Sequence, residues 1–173
     1  MVDIFFIAKV GALWRVYQKS PDTFDWGSCD SILKIILGVC VRSGSSWFEV
    51  NTLLIPIHLT DLKHWALVKL DLTNWTIEVY DSLQQEGSHN FKVQERVECM
   101  SKFILLLADR PSLFEFKSRE PLGIYPIPVT IMKDIPQQAN GREGCLLLGN
   151  LWTHANLLGV ANMLLVVPCQ AQD

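Results

Sequence analysis

A chain of 173 residues fits one domain and is long enough to bury a substantial core. Hydrophobic residues make up 49% and charged residues 19%, a balance that excludes a disordered chain. The net charge of −3 leaves no basic footprint, so nucleic acid is not an expected partner.

Residues 1–14 are apolar, but they lack a basic n-region and Lys9 interrupts them, so they are not read as a signal peptide. Ser28, Asp30 and Ser31 stand in front of Ile32, Ile35, Ile36 and Val39, a helical spacing with capping residues before it. Gly44-Ser45-Ser46 breaks that pattern. Residues 52–59, 65–72 and 75–80 read as strands, being short, apolar or β-branched, and separated by polar turns. In the second of them Val68, Leu70 and Leu72 alternate with Lys69 and Asp71, which predicts one wetter face. The link Thr73-Asn74 is short enough for a hairpin, making the second and third strands antiparallel neighbours. Val93, Val97, Met100, Ile104 and Leu107 fall at alternating spacings of four and three and predict a helix that Pro111 stops. A further strand at 127–132 leads into a polar, turn-rich loop over 134–141. The order of elements is that of an α+β domain. The closing apolar stretch, residues 155–167, is shorter than the roughly 20 residues a bilayer span needs, so no membrane partner is expected.

Five cysteines (Cys29, Cys40, Cys99, Cys145 and Cys169) form no CxxC pair and gather no histidines. The odd count suits a reducing compartment, and the spacing gives no metal site. The expectation is an intracellular domain.

If the second and third strands close around Thr73-Asn74, residues whose numbers total about 147 face each other. His64 and Asp81 total 145, which predicts cross-strand neighbours within side-chain reach. An aspartate beside a histidine orients an imidazole for nucleophilic chemistry. On pairing alone, a structural His–Asp pair is the better reading. A third element changes this: Gln137, Gln138, Asn140, Gly141 and Cys145 lie in one downstream loop. A thiol needs a nearby base to become a thiolate, and a glutamine amide can stabilise an oxyanion. Without that context, Cys145 would read as a small buried hydrophobe.

Taken together, His64-Trp65-Ala66-Leu67, Val79-Tyr80-Asp81-Ser82 and Pro136-Gln137-Gln138-Ala139-Asn140-Gly141, preceded by Ile55-Pro56-Ile57, resemble the ubiquitin-like-specific (SUMO-type) cysteine protease family. Trp47-Phe48-Glu49-Val50-Asn51 resembles the lead-in of its plant, transposon-associated branch. The resemblance covers residues 24–145, roughly, of a single domain over 1–173. It implies a cysteine-protease-like fold with a central, mostly antiparallel sheet flanked by helices. It further implies His64 as general base, Asp81 as its orienting partner, Gln138 in the oxyanion hole and Cys145 as nucleophile. Trp65 would line the channel for a diglycine tail. The implied partner is a SUMO-type ubiquitin-like protein or its conjugates, with no cofactor and no metal, in nucleus or cytoplasm.

The loop departs from the family's pattern, which ends Gln-x-Asn-Gly-x-Asp-Cys-Gly. Aligned without gaps, Glu143 stands for the aspartate, Gly144 for the cysteine and Cys145 for the glycine. Either the loop has gained a residue and Cys145 still serves, or the nucleophile is displaced. Residues 146–173 carry no Lys, Arg or Glu and show no polar face, an expected sign of a degenerate, frameshifted and weakly folded end. The start at Met1 leads to the expectation of a truncated chain. Three functions remain: a thiol peptidase or isopeptidase, a catalytically inactive, transposon-derived module that binds a ubiquitin-like protein, and an acyltransferase using a related triad.

Overall fold

The computed structural model describes residues 6–39, 46–59, 64–82, 88–111, 125–133, 135 and 163–165. Three strands rich in β-branched and apolar residues form its centre: β1 (Thr52–Leu59), β2 (His64–Asp71) and β3 (Thr76–Tyr80). Side-chain alternation turns Leu53, Ile55, Ile57 and Leu59 of β1 to one face, with Ala66, Val68 and Leu70 of β2 and Ile77 and Val79 of β3. That face is the core. β1 is almost wholly buried along its length, as its unbroken apolar run requires. The strands β4 (Val129–Ile131) and β5 (Met163–Leu165) are short and complete the sheet in the order β4-β3-β2-β1-β5. Both add in parallel, β4 to β3 and β5 to β1, whereas the three long strands are mutually antiparallel. The sheet is therefore mixed, and the fold class is α+β.

Helices α1 (Phe6–Lys19), α2 (Asp30–Ile36) and α3 (Ser88–Asp109) accompany the sheet. On α3, Val93, Val97, Met100, Ile104 and Leu107 are all buried, as their spacing predicts, and Phe103 and Ala108 join them. Residues read in the sequence only as an apolar opening form α1, whose Phe6, Ile7 and Val10 enter the core while Leu13, Trp14 and Tyr17 lie against it. Two tight 3₁₀ turns, Pro21–Thr23 and Trp26–Cys29, lead into α2. The capping role expected of Ser28, Asp30 and Ser31 falls instead to Asp25, whose carboxylate accepts from the Gly27 N–H at 2.9 Å. The chain is already helical at Cys29, so the unpaired N–H groups lie one turn earlier. Val39 also departs from expectation: it is 70% exposed, because α2 ends at Ile36. Gly38, at φ 74°, lets its own N–H bond Ile35 O and the Val39 N–H bond Lys34 O, closing the helix. The strand expected over 127–132 shortens to Val129–Ile131, with Pro128 contributing only its carbonyl, to the Ile77 N–H.

The hairpin between β2 and β3 has the expected register, Val68 opposite Val79 and Leu67 opposite Tyr80. Its loop is longer than the two residues expected. Residues 72–75 bridge the strands, with Trp75 buried in the left-handed region at φ 51°. The Asp71 carboxylate holds this turn, accepting from the Thr73 N–H at 2.7 Å, the Asn74 N–H at 2.9 Å and Asn74 Nδ2 at 2.9 Å. Burial raises the Asp71 carboxyl, but the Asn74 and Thr73 donors outweigh it and leave it below the usual carboxylate range. A folded-state value below the unfolded one stabilises the fold at pH above the unfolded value, near 4, and this contribution disappears as pH falls through the lowered one. Asp71→Ala is expected to cost about 1–2 kcal/mol near neutral pH and less at pH near 2, read as urea midpoints at both pH values. An unchanged midpoint at neutral pH would mean the turn closes without Asp71.

Candidate active site

β2 begins at His64, directly opposite Leu59 of β1. Sharing the parity of Ala66 and Val68, His64 belongs to the core face, where it is 1% exposed. Asp81, one residue past β3, shares the parity of Ile77 and Val79 and is 2% exposed. The hairpin register brings the pair together at 2.7 Å, Nε2 of His64 to Oδ1 of Asp81. Such a buried carboxylate is tolerable only with a close donor, and the imidazole supplies one.

The contact sets the imidazole's chemistry. An ionised carboxylate only accepts hydrogen bonds, so Nε2 carries the proton and donates it to Asp81. Nδ1, also buried, is then the ring nitrogen that carries the lone pair. Ser82 follows Asp81 and is fully buried.

Alternation along β2 places Trp65 on the face opposite His64. There its indole stacks on the His58 ring across the β1–β2 pair, with centroids 4.3 Å apart and planes at 25°. His58 was not singled out from the sequence, although the antiparallel register that pairs it with Trp65 was the available signal. On the same face Glu78 accepts from Lys69 at 3.0 Å and from the Tyr80 hydroxyl at 2.6 Å. Burial raises the Glu78 carboxyl, but these donors more than offset it and hold it below its ordinary range. Burial and the Glu78 partner push the Tyr80 phenol upward.

Gln138 and Cys145, the residues expected as oxyanion donor and nucleophile, lie outside the described residues. Two cysteines fall within them. Burial raises the Cys29 thiol, and it pushes Cys99 up to about 11. Neither is a thiolate near neutral pH, and a thiolate is what a cysteine nucleophile requires. Among the described residues no group of three or more His, Cys, Asp or Glu side chains is placed to hold a metal ion, and no helix is long and apolar enough to cross a membrane.

Residues 1–147 match the family model described as Ulp1 protease family, C-terminal catalytic domain. Among solved structures, the SUMO protease Ulp1 with its catalytic cysteine oxidised to a sulfonic acid is similar at 18% identity and a TM-score of 0.46, over 88% of this chain and 65% of that one. The C-terminal Ulp1 protease domain in complex with Smt3, the yeast ortholog of SUMO, is similar at 19% identity and a TM-score of 0.45, over 88% and 64%. This chain thus spans a little under two thirds of those structures' length. No curated protein sequence matches it. With the family model extending over residues 1–147 of 173, the chain belongs to the Ulp1 protease family by its C-terminal catalytic domain.

Proposed function

We propose that this domain is a thiol peptidase that cleaves after the C-terminal diglycine of a SUMO-type ubiquitin-like protein. The observation that carries the reading is the buried His64 Nε2–Asp81 Oδ1 contact of 2.7 Å in a chain of this family. His64 Nδ1 takes the proton of Cys145, and the thiolate attacks the glycine carbonyl. Gln138 donates to the oxyanion that develops, and Trp65 lines the channel for the tail. As the carbon–nitrogen bond breaks, His64 returns the proton to the departing amine, leaving a thioester on Cys145. Water then gives a proton to His64 Nδ1 and its oxygen to the acyl carbon, releasing the free carboxylate and the thiol. Asp81 keeps the imidazole in the required tautomer and balances its charge when protonated. The raised thiols of Cys29 and Cys99 support assigning the nucleophile elsewhere in the chain.

A specific observation favours a second reading. Aligned without gaps, Gly144 falls on the family's cysteine position and Cys145 follows one residue late. A displacement of about 1 Å at a reacting atom costs on the order of a hundredfold in rate, and one residue moves the chain by more. In this reading the domain binds the ubiquitin-like protein without cleaving it. Release of a fluorogenic amine from the C-termini of SUMO and of ubiquitin separates the two. The peptidase reading predicts release from SUMO that Cys145→Ala abolishes. Binding of SUMO by the folded native chain without release would establish the second reading.

A further inference from the structure

We propose that the cleft between α1 and α3 is a phosphate-binding site, independent of the peptidase chemistry. The two helices pack side by side and enclose about 340 Å³. Gly11, Arg15 and Gln18 line it from α1, and Arg96, Cys99 and Lys102 line it from α3. These positions recur every three or four residues, so each helix presents one stripe to the cleft.

Arg96 is half-buried and lies across α1 at Gly11, where an added Cβ would meet its Nη1 at 3.7 Å. Arg15 and Arg96 thus face the same cleft from opposing helices, and the Cys99 thiol there has both as neighbouring cations and Glu95 and Glu98 as neighbouring anions. Neither arginine has an ion-pair partner among the described residues. Two acids also line the cleft. Glu98 is committed to Lys102, and Glu95 is exposed. With Glu98 on Lys102, two guanidiniums remain beside the one carboxylate of Glu95, and Arg96 is already partly removed from water. A phosphate group carries a charge near −2 at neutral pH and accepts from two guanidinium forks at once, whereas a single carboxylate balances only one. The volume exceeds what a bare phosphate fills, leaving room for the group that bears it. Free phosphate and a phosphorylated side chain share this chemistry.

Calorimetric titration with inorganic phosphate, a short phosphoserine peptide and its unphosphorylated counterpart tests the site, with ¹⁵N shifts of the arginine Nε groups as a second readout. Saturable binding of the phosphate-bearing probes is expected, shifting Arg15 and Arg96 and weakening as salt rises. Arg15→Gln and Arg96→Gln should each weaken it several-fold and the double variant at least tenfold, with unchanged circular dichroism. Arg110→Gln, away from this cleft, should bind as the native chain does. Tighter binding of the phosphopeptide than of phosphate would identify a phosphorylated side chain as the ligand, and equal binding would identify the free anion. Absence of binding, equal binding of the unphosphorylated peptide, or an undiminished double variant would overturn the proposal.

Discussion

Asp81→Ala and Asp81→Asn are expected to differ, because asparagine keeps a carbonyl oxygen for His64 Nε2 and alanine does not. In Asp81→Asn the 2.7 Å contact survives as a neutral hydrogen bond, so the imidazole keeps its tautomer and loses only the balancing charge. A smaller fall in release from SUMO than for alanine follows. Alanine removes the acceptor altogether from a ring that is 1% exposed, freeing the ring orientation and leaving a buried N–H unmatched. The rate should drop by about 10²–10⁴-fold, and stability by about 1–3 kcal/mol. His64→Ala should lose about 10³–10⁴-fold, since it removes the proposed base. Equal rates for the two Asp81 variants would show that the carboxylate acts by charge alone.

Phe103→Ala is expected to destabilise the domain strongly. Phe103 is fully buried on α3, and the rings of Trp14, Tyr17, Phe24 and Trp26 surround it at centroid distances of 5.7, 5.8, 6.0 and 6.3 Å. Those four residues come from α1 and the turn segment before α2, so the ring ties the N-terminal third to the helix over the sheet. Truncation loses the transfer energy of a large side chain and opens a cavity that four rigid aromatics fill poorly, costing about 3–5 kcal/mol. Against a total of roughly 5–15 kcal/mol this is a large share. Phe103→Leu should cost markedly less. Thermal melts of both variants check this, and a Phe103→Ala melt within a few degrees of native would contradict it.

The parts of this fold that were legible in the sequence rest on local periodicity. The two-residue repeat of Val68, Leu70 and Leu72 and the three-four repeat from Val93 to Leu107 each bury one face, and the helix stands where its pattern places it while β2 runs one residue earlier than expected, leaving Leu72 in the turn. The register that joins His64 to Asp81 needed only the position of the hairpin's centre. A four-residue loop centred where a two-residue loop was expected leaves that register unchanged. What escaped depends on contacts distant in sequence. α1 was passed over because its apolar residues were tested only as a signal peptide and rejected as one, although Phe6, Val10, Trp14 and Tyr17 carry a helical repeat that packing against distant segments explains. Val39 was placed on a buried face because periodicity does not register that Gly38 ends the helix. β4 and β5 are three residues each and pair in parallel with strands far away in the chain, and no local pattern announces such pairings. Gln138 and Cys145 were singled out by residue type and given their roles by the resemblance, and they lie outside the described residues.

The central claim is that His64, oriented by Asp81, serves Cys145. Incubating the folded chain with SUMO bearing a C-terminal electrophile, followed by intact mass and mapping of the modified residue, tests it most directly. The account predicts one adduct, on Cys145, formed by the native chain and lost in His64→Ala. An adduct on another cysteine, or one on Cys145 that forms as fast without His64, would contradict it.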